Sequence, residues 1–233
     1  MTKLPELSLF FPFWNEEQNI ESVVKKAIPV IESVTDKWEI IMVDDGSSDK
    51  TLEIAKKLAK ENINLVVASN GKNRGYGAAL KTGFSTAKYD YVVFNDGDGQ
   101  FDFSQISGFI EKISKCDVVI GFRKKRLDNP FRHLLMNLLK VWDWFFFRFN
   151  FKDIDCGFKL FRKSALIKIM PLKSEGAMIT TEILAKAKKA RLHILEEEVN
   201  HYPRIFGDQS GGNIRVILRA VKESLFLWKE LNF

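Results

Sequence analysis

Short apolar runs alternate with amphipathic segments from Leu7 to Asp96, and this alternation restricts the fold more than any other feature of the sequence. The apolar runs are LSLFFPF, WEIIMVDD, INLVVASN and YDYVVFND. The segments between them, such as NEEQNIESVVKKAIPVIESV and GSSDKTLEIAKKLAKE, carry apolar residues at helical spacing. Strands that alternate with helices at short intervals predict an α/β fold, a mainly parallel sheet with helices on both faces. Asn15 is expected to be the N-cap of the first helix.

The same pattern continues through the rest of the chain. We predict helices in ISGFIEKI and AMITTEILAKAKKARL, strands in DVVIGFR and HILEEEVNHYP, and a strand followed by a helix in GFKLFRKSALIKIM. The tail from Asn213 to Glu230 has the pattern of an amphipathic helix. No internal repeat or low-complexity linker interrupts the 233 residues, which suffice for one large core. We therefore expect a single domain spanning residues 1–233.

The charge balance is mildly basic. Lysine and arginine total 36 against 30 aspartate and glutamate, which gives a formal net charge of +6. Such a surplus is typical either of an ordinary solvated surface or of a surface that meets phosphates and anionic lipid headgroups. Because the basic residues are dispersed and no recognition motif accompanies them, nucleic acid is not an expected partner.

Cysteine usage and hydropathy favour a cytoplasmic protein that is soluble or peripheral to a membrane. Cys116 and Cys156 form no CxxC pair, which fits a reducing compartment. No signal peptide precedes the first strand. The longest apolar stretch, residues 131–149, is interrupted by charged side chains, whereas a membrane span needs roughly 20 mostly apolar residues.

Polar motifs follow the four strands predicted between Leu7 and Asp96. Ligands of open parallel sheets bind beyond the carboxyl ends of the strands, so these motifs should converge at one edge. They are residues 12–16, 44–49, 70–77 and 96–100. GxGxxG does not follow the first strand, and no GxxxxGK[ST] loop is present, which argues against both familiar nucleotide-binding classes.

The motif VDDGSSD admits two interpretations. Asp45 can accept hydrogen bonds from a base or a ribose, and Gly46 permits a sharp turn. Ser47 to Asp49 also suit the N-cap of the following helix, a structural role that the acids could share.

Asp96 and Asp98 end a buried strand, and alternate residues of an extended backbone point the same way. Two like charges held at a sheet edge repel each other, and a divalent cation relieves the repulsion. Hard oxygen ligands suit Mg²⁺ or Mn²⁺ bridging a diphosphate. A calcium EF-hand is excluded because the twelfth position, counted from Asp96, is Ser107 rather than glutamate.

Taken in order, six motifs resemble one enzyme family. They are PFWNEE, VDDGSSD, NRGYGAAL, DGDGQ, DIDCGFKLFR and HYPRIFG. The ordered set, from Leu7 to Gly207, is similar to the inverting glycosyltransferases of family 2, and within it to the dolichyl- or polyprenyl-phosphate sugar transferases (dolichol-phosphate mannose synthase-like). The resemblance implies a GT-A fold, a UDP- or GDP-sugar donor, and Mg²⁺ or Mn²⁺.

The resemblance also implies a set of site residues. Those matching positions beside the base and ribose of the nucleotide sugar are Pro12, Trp14, Glu16, Val43 and Asp45. The donor diphosphate and its metal correspond to Asp96, Gly97, Asp98 and Gln100, with Asp98 and Gln100 expected as the direct metal ligands ahead of Asp96. Basic residues that match, or lie near, donor or acceptor phosphate sites are Arg123, Arg132 and Arg204. Two departures are that RIFGDQSGGN lacks the lysine frequent in the family, and that many relatives carry C-terminal membrane helices.

The expected catalytic residues are Asp98 and Asp155, with Glu182 as a base if the acceptor is a hydroxyl. A solvated helix position is the alternative reading of Glu182. A lipid monophosphate has a second pKa near ~6, so its oxygen is already anionic and needs positioning more than a base. A polyprenyl phosphate is therefore the leading acceptor, and a glycan hydroxyl in cell-surface polysaccharide synthesis is the alternative.

The acceptor prediction rests on residues 124–149, where aromatic and aliphatic residues fall at helical spacing behind a basic cluster. This combination suits a membrane interface at the cytoplasmic face. A core-facing stripe or a dimer surface would show the same pattern, and a homo-oligomer or a separate membrane-anchor protein is a possible partner. A non-catalytic binding module is the third reading, but the intact Asp96, Asp98, Gln100 and Asp155 argue against it.

Overall fold

A computed structural model of the chain describes residues 3–124, 146–207 and 214–232. Most of the predicted interface segment 124–149, including Arg132, lies outside these residues.

Seven strands form one sheet in the order β3-β2-β1-β4-β6-β5-β7. They are β1 (Leu7–Phe13), β2 (Trp38–Asp44), β3 (Leu65–Ser69), β4 (Tyr91–Asn95), β5 (Val118–Arg123), β6 (Phe158–Arg162) and β7 (Ile194–Val199). The first four are parallel, as are β5 and β7, so the mainly parallel prediction is confirmed. β6 runs antiparallel to both of its neighbours.

The reversed direction of β6 places its preceding loop at the edge where β4 ends. Asn95, the last residue of β4, pairs with Phe158, the first residue of β6. The DIDCG segment before β6 therefore meets the DGDGQ segment after β4.

Helices cover both faces of the sheet. They are α1 (Ile20–Val34), α2 (Thr51–Glu61), α3 (Tyr76–Thr86), α4 (Ile106–Ile113), α5 (Lys163–Ile169), α6 (Ile179–Lys189) and α7 (Ile214–Asn232). One core contains apolar residues of α1, α2 and α4, and the other contains those of α3, α5, α6 and α7. In the ranges that the structure describes, no helix is both long and apolar enough to cross a bilayer.

The prediction that Asn15 caps α1 is wrong. α1 begins at Ile20, and Asn15 has a φ of 54° in the preceding turn. Its backbone N–H donates to Oγ of Ser47 at 2.9 Å, and its Oδ1 accepts from the N–H of Ser48 at 2.8 Å. Asn15 therefore ties the loop after β1 to the loop after β2, a long-range role that local capping rules do not capture.

Gly83 lets α3 lie directly on the centre of the sheet. A Cβ at this position would come within 2.3 Å of the ring of Phe10 on β1. That ring is fully buried and packs edge-on against Phe84, with ring centroids 5.1 Å apart. The close approach fixes the distance between α3 and the sheet. The NRGYG motif lies at the N-terminus of this helix.

Gly83→Ala should destabilise the fold by about 1–3 kcal/mol, because the packed ring of Phe10 has no room to move. This loss outweighs the gain of about 1 kcal/mol in helix propensity. Urea denaturation measures the free energy of unfolding. Ser85→Ala, on the exposed side of the same helix, is the matched control and should change stability by no more than about 0.5 kcal/mol. An equally stable Gly83→Ala protein would contradict this packing.

Candidate active site

The loops after β1 and β2 form one hydrogen-bonded unit at the C-terminal edge of the sheet. The N–H of Asp45 donates to the carbonyl of Phe13 at 2.9 Å, and the N–H of Glu16 donates to Oγ1 of Thr51 at 2.8 Å. Trp14 stands at the rim with 44% of its surface exposed. This rim offers an aromatic surface on which a base could stack.

Pro12 and Val43 are paired residues of β1 and β2 near that rim. Pro12 is partly exposed, but Val43 is fully buried in the core beneath α3. A ligand at the rim has no access to the Val43 side chain, so we limit any contact there to its backbone.

Asp45 binds the loop between β3 and α3. Its carboxylate accepts from Nδ2 of Asn70 at 2.6 Å and from the backbone N–H groups of Arg74 at 3.2 Å and Gly75 at 2.7 Å. The neighbouring Asp44 accepts from the N–H groups of its own turn and from the hydroxyl of Ser69. Both acids therefore hold the loops at this edge, whereas Asp49 accepts from the N–H of Thr51, the first residue of α2, at 3.0 Å.

The DGDGQ loop folds tightly onto the end of β1. A Cβ on Gly97 would lie 2.4 Å from the ring of Phe13, so only glycine permits this contact. Oδ1 of Asp98 accepts from the N–H of Gln100 at 3.0 Å. Gln100, which is largely buried, donates its side-chain N–H to the carbonyl of Tyr202 at 3.0 Å and thereby holds the HYPRIFG segment.

Asp98 is close enough to Asp96 for its charge to act on the ionisation of Asp96. Burial, followed by the charge of Asp98, raises the pKa of Asp96 to about 6, although a hydrogen bond from Tyr76 acts in the opposite direction. Two adjacent carboxylates with little access to water need a cation in order to be charged together.

The donor set fits Mg²⁺ or Mn²⁺ bound together with a diphosphate. Within the described ranges, no three His, Cys, Asp or Glu side chains come together as a complete metal cage. Mg²⁺ is usually held by one or two carboxylates, with substrate phosphates and water completing its octahedron. Asp96 and Asp98 could supply these one or two carboxylates. Gln100 could take part only if its amide oxygen turned towards the cation.

The DIDCG segment packs against Asp96. The N–H of Asp96 donates to the carbonyl of Gly157 at 2.9 Å, and a Cβ on Gly157 would lie 1.9 Å from Oδ2 of Asp96. In the same segment, Oδ1 of Asp155 accepts from the hydroxyl of Thr180 at 3.3 Å. Asp155 thus reaches the same edge as the DGDGQ loop, with part of its surface exposed.

Lys159 anchors the DIDCG segment from below. It is fully buried on β6, and its ammonium group donates to the carbonyl oxygens of Ile154, at 3.0 Å, and of Cys156. Burial lowers the pKa of Lys159. The DIDCG segment of the site is therefore held by the buried Lys159 side chain, which donates to uncharged backbone oxygens.

Arg123 is committed to Asp153. Its guanidinium group binds that carboxylate through two hydrogen bonds of 2.6 and 2.9 Å, and both side chains are almost fully buried. The sequence predicted that Arg123 binds a phosphate, but in this structure its guanidinium group is paired with the Asp153 carboxylate.

Arg204 lies over the DGDGQ loop. Its guanidinium group pairs with Glu16 and lies 3.4 Å from Oδ2 of Asp98, while its Nε donates to the carbonyl of Phe206 at 2.7 Å. Burial raises the pKa of Glu16, even though Asn19 and Arg204 act against it. The structure thus brings a predicted phosphate ligand and a predicted metal ligand together.

A family model described as "Glycosyl transferase family 2" matches residues 8–170, more than half of the chain. The chain belongs to glycosyltransferase family 2. This glycosyltransferase is 33% identical to the dolichyl-phosphate beta-glucosyltransferase of Saccharomyces cerevisiae, over 93% of this chain and 71% of the yeast protein. It is 28% identical to the dodecaprenyl-phosphate galacturonate synthase of Rhizobium johnstonii, over 95% of this chain and 67% of that protein.

Solved structures confirm the predicted GT-A fold of this glycosyltransferase. The glucosyl-3-phosphoglycerate synthase of Mycobacterium tuberculosis, in complex with phosphoglyceric acid, superposes with a TM-score of 0.73 at 19% identity. That match covers 97% of this chain and 80% of the other. The same synthase with Mn²⁺, UDP and glucosyl-3-phosphoglycerate gives a TM-score of 0.68 at 19% identity, over 96% and 80% of the two chains.

Glu182 of this glycosyltransferase is bound by neighbouring groups of the protein itself. Its carboxylate accepts from the N–H groups of Lys173 and Ser174 at 2.8 and 2.7 Å and pairs with Lys186 at 2.7 Å. Burial acts to raise its pKa, but these hydrogen bonds outweigh burial, so the pKa lies below its usual value. A carboxylate with a depressed pKa is a poor proton acceptor, and we assign Glu182 to loop positioning.

Sequence reasoning did not single out several groups that build the site of the glycosyltransferase. They are Tyr76, Asp153, Gly157 and Lys159. Asp153, Gly157 and Lys159 lie inside the DIDCGFKLFR motif and Tyr76 lies inside NRGYGAAL, so the motifs located all four without assigning them roles. A lysine in a strand that is otherwise apolar was the available signal for Lys159.

Arg123→Met should lower the free energy of unfolding by about 3–5 kcal/mol, because it removes the guanidinium group that pairs with the buried Asp153 carboxylate. Chemical denaturation of the ligand-free protein measures this loss. Lys124→Met is the control, since Lys124 pairs with Glu198 on the exposed surface and such pairs contribute at most about 1 kcal/mol. Unchanged stability in Arg123→Met would contradict the assignment of Arg123 to a structural ion pair.

Proposed function

We propose that this glycosyltransferase transfers a sugar, with inversion, from a UDP- or GDP-sugar to a polyprenyl phosphate, using Mg²⁺ or Mn²⁺. Two relatives whose names specify dolichyl and dodecaprenyl phosphates match more than nine-tenths of the chain. The observation that carries the proposal is the placement of Arg204 beside Asp98. An anionic acceptor needs a cation next to the metal acids, and Arg204 supplies one.

Each part of the sheet edge has a role in this reaction. Trp14 and the loop that Asp45 holds face the base and ribose, while Asp96 and Asp98 would hold the metal that accompanies the donor diphosphate. The metal, when bound, stabilises the charge that develops on the leaving diphosphate. Arg204 exchanges its contacts with Glu16 and Asp98 for the acceptor phosphate.

A phosphate acceptor agrees with the environments of the candidate bases. The phosphate oxygen is ionised near neutral pH and attacks without losing a proton to the protein. Glu182 is committed to Lys186 and the backbone of its neighbouring loop. Asp155 then acts by position at the acceptor side rather than as an obligatory base.

Helix α7 supports attachment of this single catalytic domain to the cytoplasmic face of a membrane. Val221, Leu225 and Trp228 form an exposed apolar row at i, i+4 and i+7, and Lys222 and Lys229 are exposed on the same helix. Apolar rows flanked by lysine suit an anionic lipid surface. The ring of Trp228 contacts Phe146, at the end of the predicted interface segment, with centroids 5.8 Å apart.

The reaction is tested by measuring nucleoside diphosphate release with Mn²⁺, a short polyprenyl phosphate and a panel of UDP- and GDP-sugars. Release should depend on the lipid phosphate, and Asp98→Ala should slow it by roughly 100-fold or more. Asp36→Ala, an exposed acid at the opposite edge, should behave like the wild type. Undiminished transfer to a water-soluble glycan without lipid phosphate would reject the acceptor.

Membrane attachment is tested by sedimentation with vesicles that contain phosphatidylglycerol. Leu225→Ser should weaken binding roughly 10-fold, because a buried leucine contributes about 1.5–3 kcal/mol. Ile63→Ser removes a side chain that is 95% exposed just before β3, away from the site edge, and should have no effect. Equal binding by both variants would exclude α7 from the membrane surface.

A further inference from the structure

Tyr76 makes a direct contact with the first acid of the metal loop. Its hydroxyl donates to Oδ1 of Asp96 at 2.7 Å. The other oxygen of Asp96 lies against Gly157, where a Cβ would approach it to 1.9 Å. The Asp96 carboxylate is therefore held by a hydrogen bond on one oxygen and by packing on the other.

The position of Tyr76 is set by the protein independently of Asp96. Tyr76 is the first residue of α3, and the N–H groups of the next two residues, Gly77 and Ala78, donate to the carbonyl of Glu175 at 2.9 and 3.3 Å. On its other side, the N–H of Gly75 donates to Asp45 at 2.7 Å. The tyrosine ring thus projects from a backbone that is fixed on both sides.

A neutral hydroxyl has a specific advantage at this position. Asp96 and Asp98 repel each other, so an untethered Asp96 carboxylate would turn away from its neighbour. A neutral phenol donates a hydrogen bond to the carboxylate without placing a positive charge beside it, so it can orient the carboxylate without taking the place of a cation. An arginine in the same place would compete with that cation, and nearby Arg123 is instead held by Asp153.

We propose that Tyr76 is a positioning residue that holds the Asp96 carboxylate in the orientation required for binding the divalent cation and the donor diphosphate. The inference rests on the metal site of the proposed function. It connects the NRGYG loop to the metal loop through a single hydroxyl, a relation that none of the sequence motifs revealed. Outer partners of this kind typically change metal affinity by about 10–100-fold when they are removed.

The test compares Tyr76→Phe with the wild type in Mn²⁺ binding, measured by the electron paramagnetic resonance signal of unbound Mn²⁺ in the presence of UDP. We expect Tyr76→Phe to weaken Mn²⁺ binding by about 10-fold or more. Its melting temperature should stay within about 2 °C of the wild type, because only one hydroxyl is lost. The matched control is Tyr91→Phe, which removes the hydroxyl that accepts from Arg162, at 3.0 Å, at the opposite end of β4.

A double-mutant cycle with Asp96→Asn separates positioning from a general effect on folding. If the hydroxyl acts through Asp96, Tyr76→Phe should have little further effect on Mn²⁺ affinity once the carboxylate is gone. The cycle is measured on protein with wild-type circular dichroism. Equal Mn²⁺ affinity of Tyr76→Phe and wild type, or additive effects in the cycle, would overturn the inference.

Asp98→Ala distinguishes failure of the inference from failure of the proposed function. If Asp98→Ala loses Mn²⁺ while Tyr76→Phe keeps it, the metal site stands and the role of Tyr76 is rejected. If Asp98→Ala binds Mn²⁺ and UDP like the wild type, the metal assignment itself is wrong and the inference falls with it.

Discussion

The repulsion between the carboxylates of Asp96 and Asp98 is the constraint around which the site is built. Burial, followed by the charge of Asp98, raises the pKa of Asp96 to about 6. The surrounding groups hold the two carboxylates in place, and those that contact Asp96 carry no positive charge. The hydroxyl of Tyr76, the carbonyl of Gly157 that accepts from the N–H of Asp96, and the surface of Gly157 hold Asp96. Arg204 lies 3.4 Å from Asp98, a contact long enough to be exchanged.

The cations near the site are of two kinds. Some are fully paired within the fold, and others can exchange their protein partners for a ligand. Arg123 has two hydrogen bonds to a buried carboxylate, and Lys159 is surrounded by backbone carbonyls inside the sheet. Removing either would leave buried groups without partners, so these cations belong to the fold. Arg204 lies on an exposed segment with acidic partners that are themselves ligand candidates, so it can change partners when an anion arrives.

The sequence predicted the first four strands and the sheet edge because apolar runs and strand-end motifs are local signals. It did not predict the long-range partners. Asn15 has the chemistry of a helix cap, but residues of a neighbouring loop bind it instead. Arg123 and Glu182 have the chemistry of a phosphate ligand and a base. Arg123 instead meets the buried Asp153, thirty positions along the chain, and Glu182 meets the loop before its own helix and Lys186. The direction of β6 depends on where the chain returns to the sheet, which spacing along the sequence does not encode.

The Arg123–Asp153 ion pair also brings together the end of β5 and the start of the DIDCG segment. The polypeptide leaves the sheet at the end of β5 and returns thirty positions later at the same point, just before the segment that supports Asp96. The segment between those two residues is therefore held at both ends by one ion pair. The same pair fixes the first residue of the DIDCG segment, in which Gly157 lies against Asp96. A change of length or sequence between Arg123 and Asp153 could therefore leave the metal loop in place.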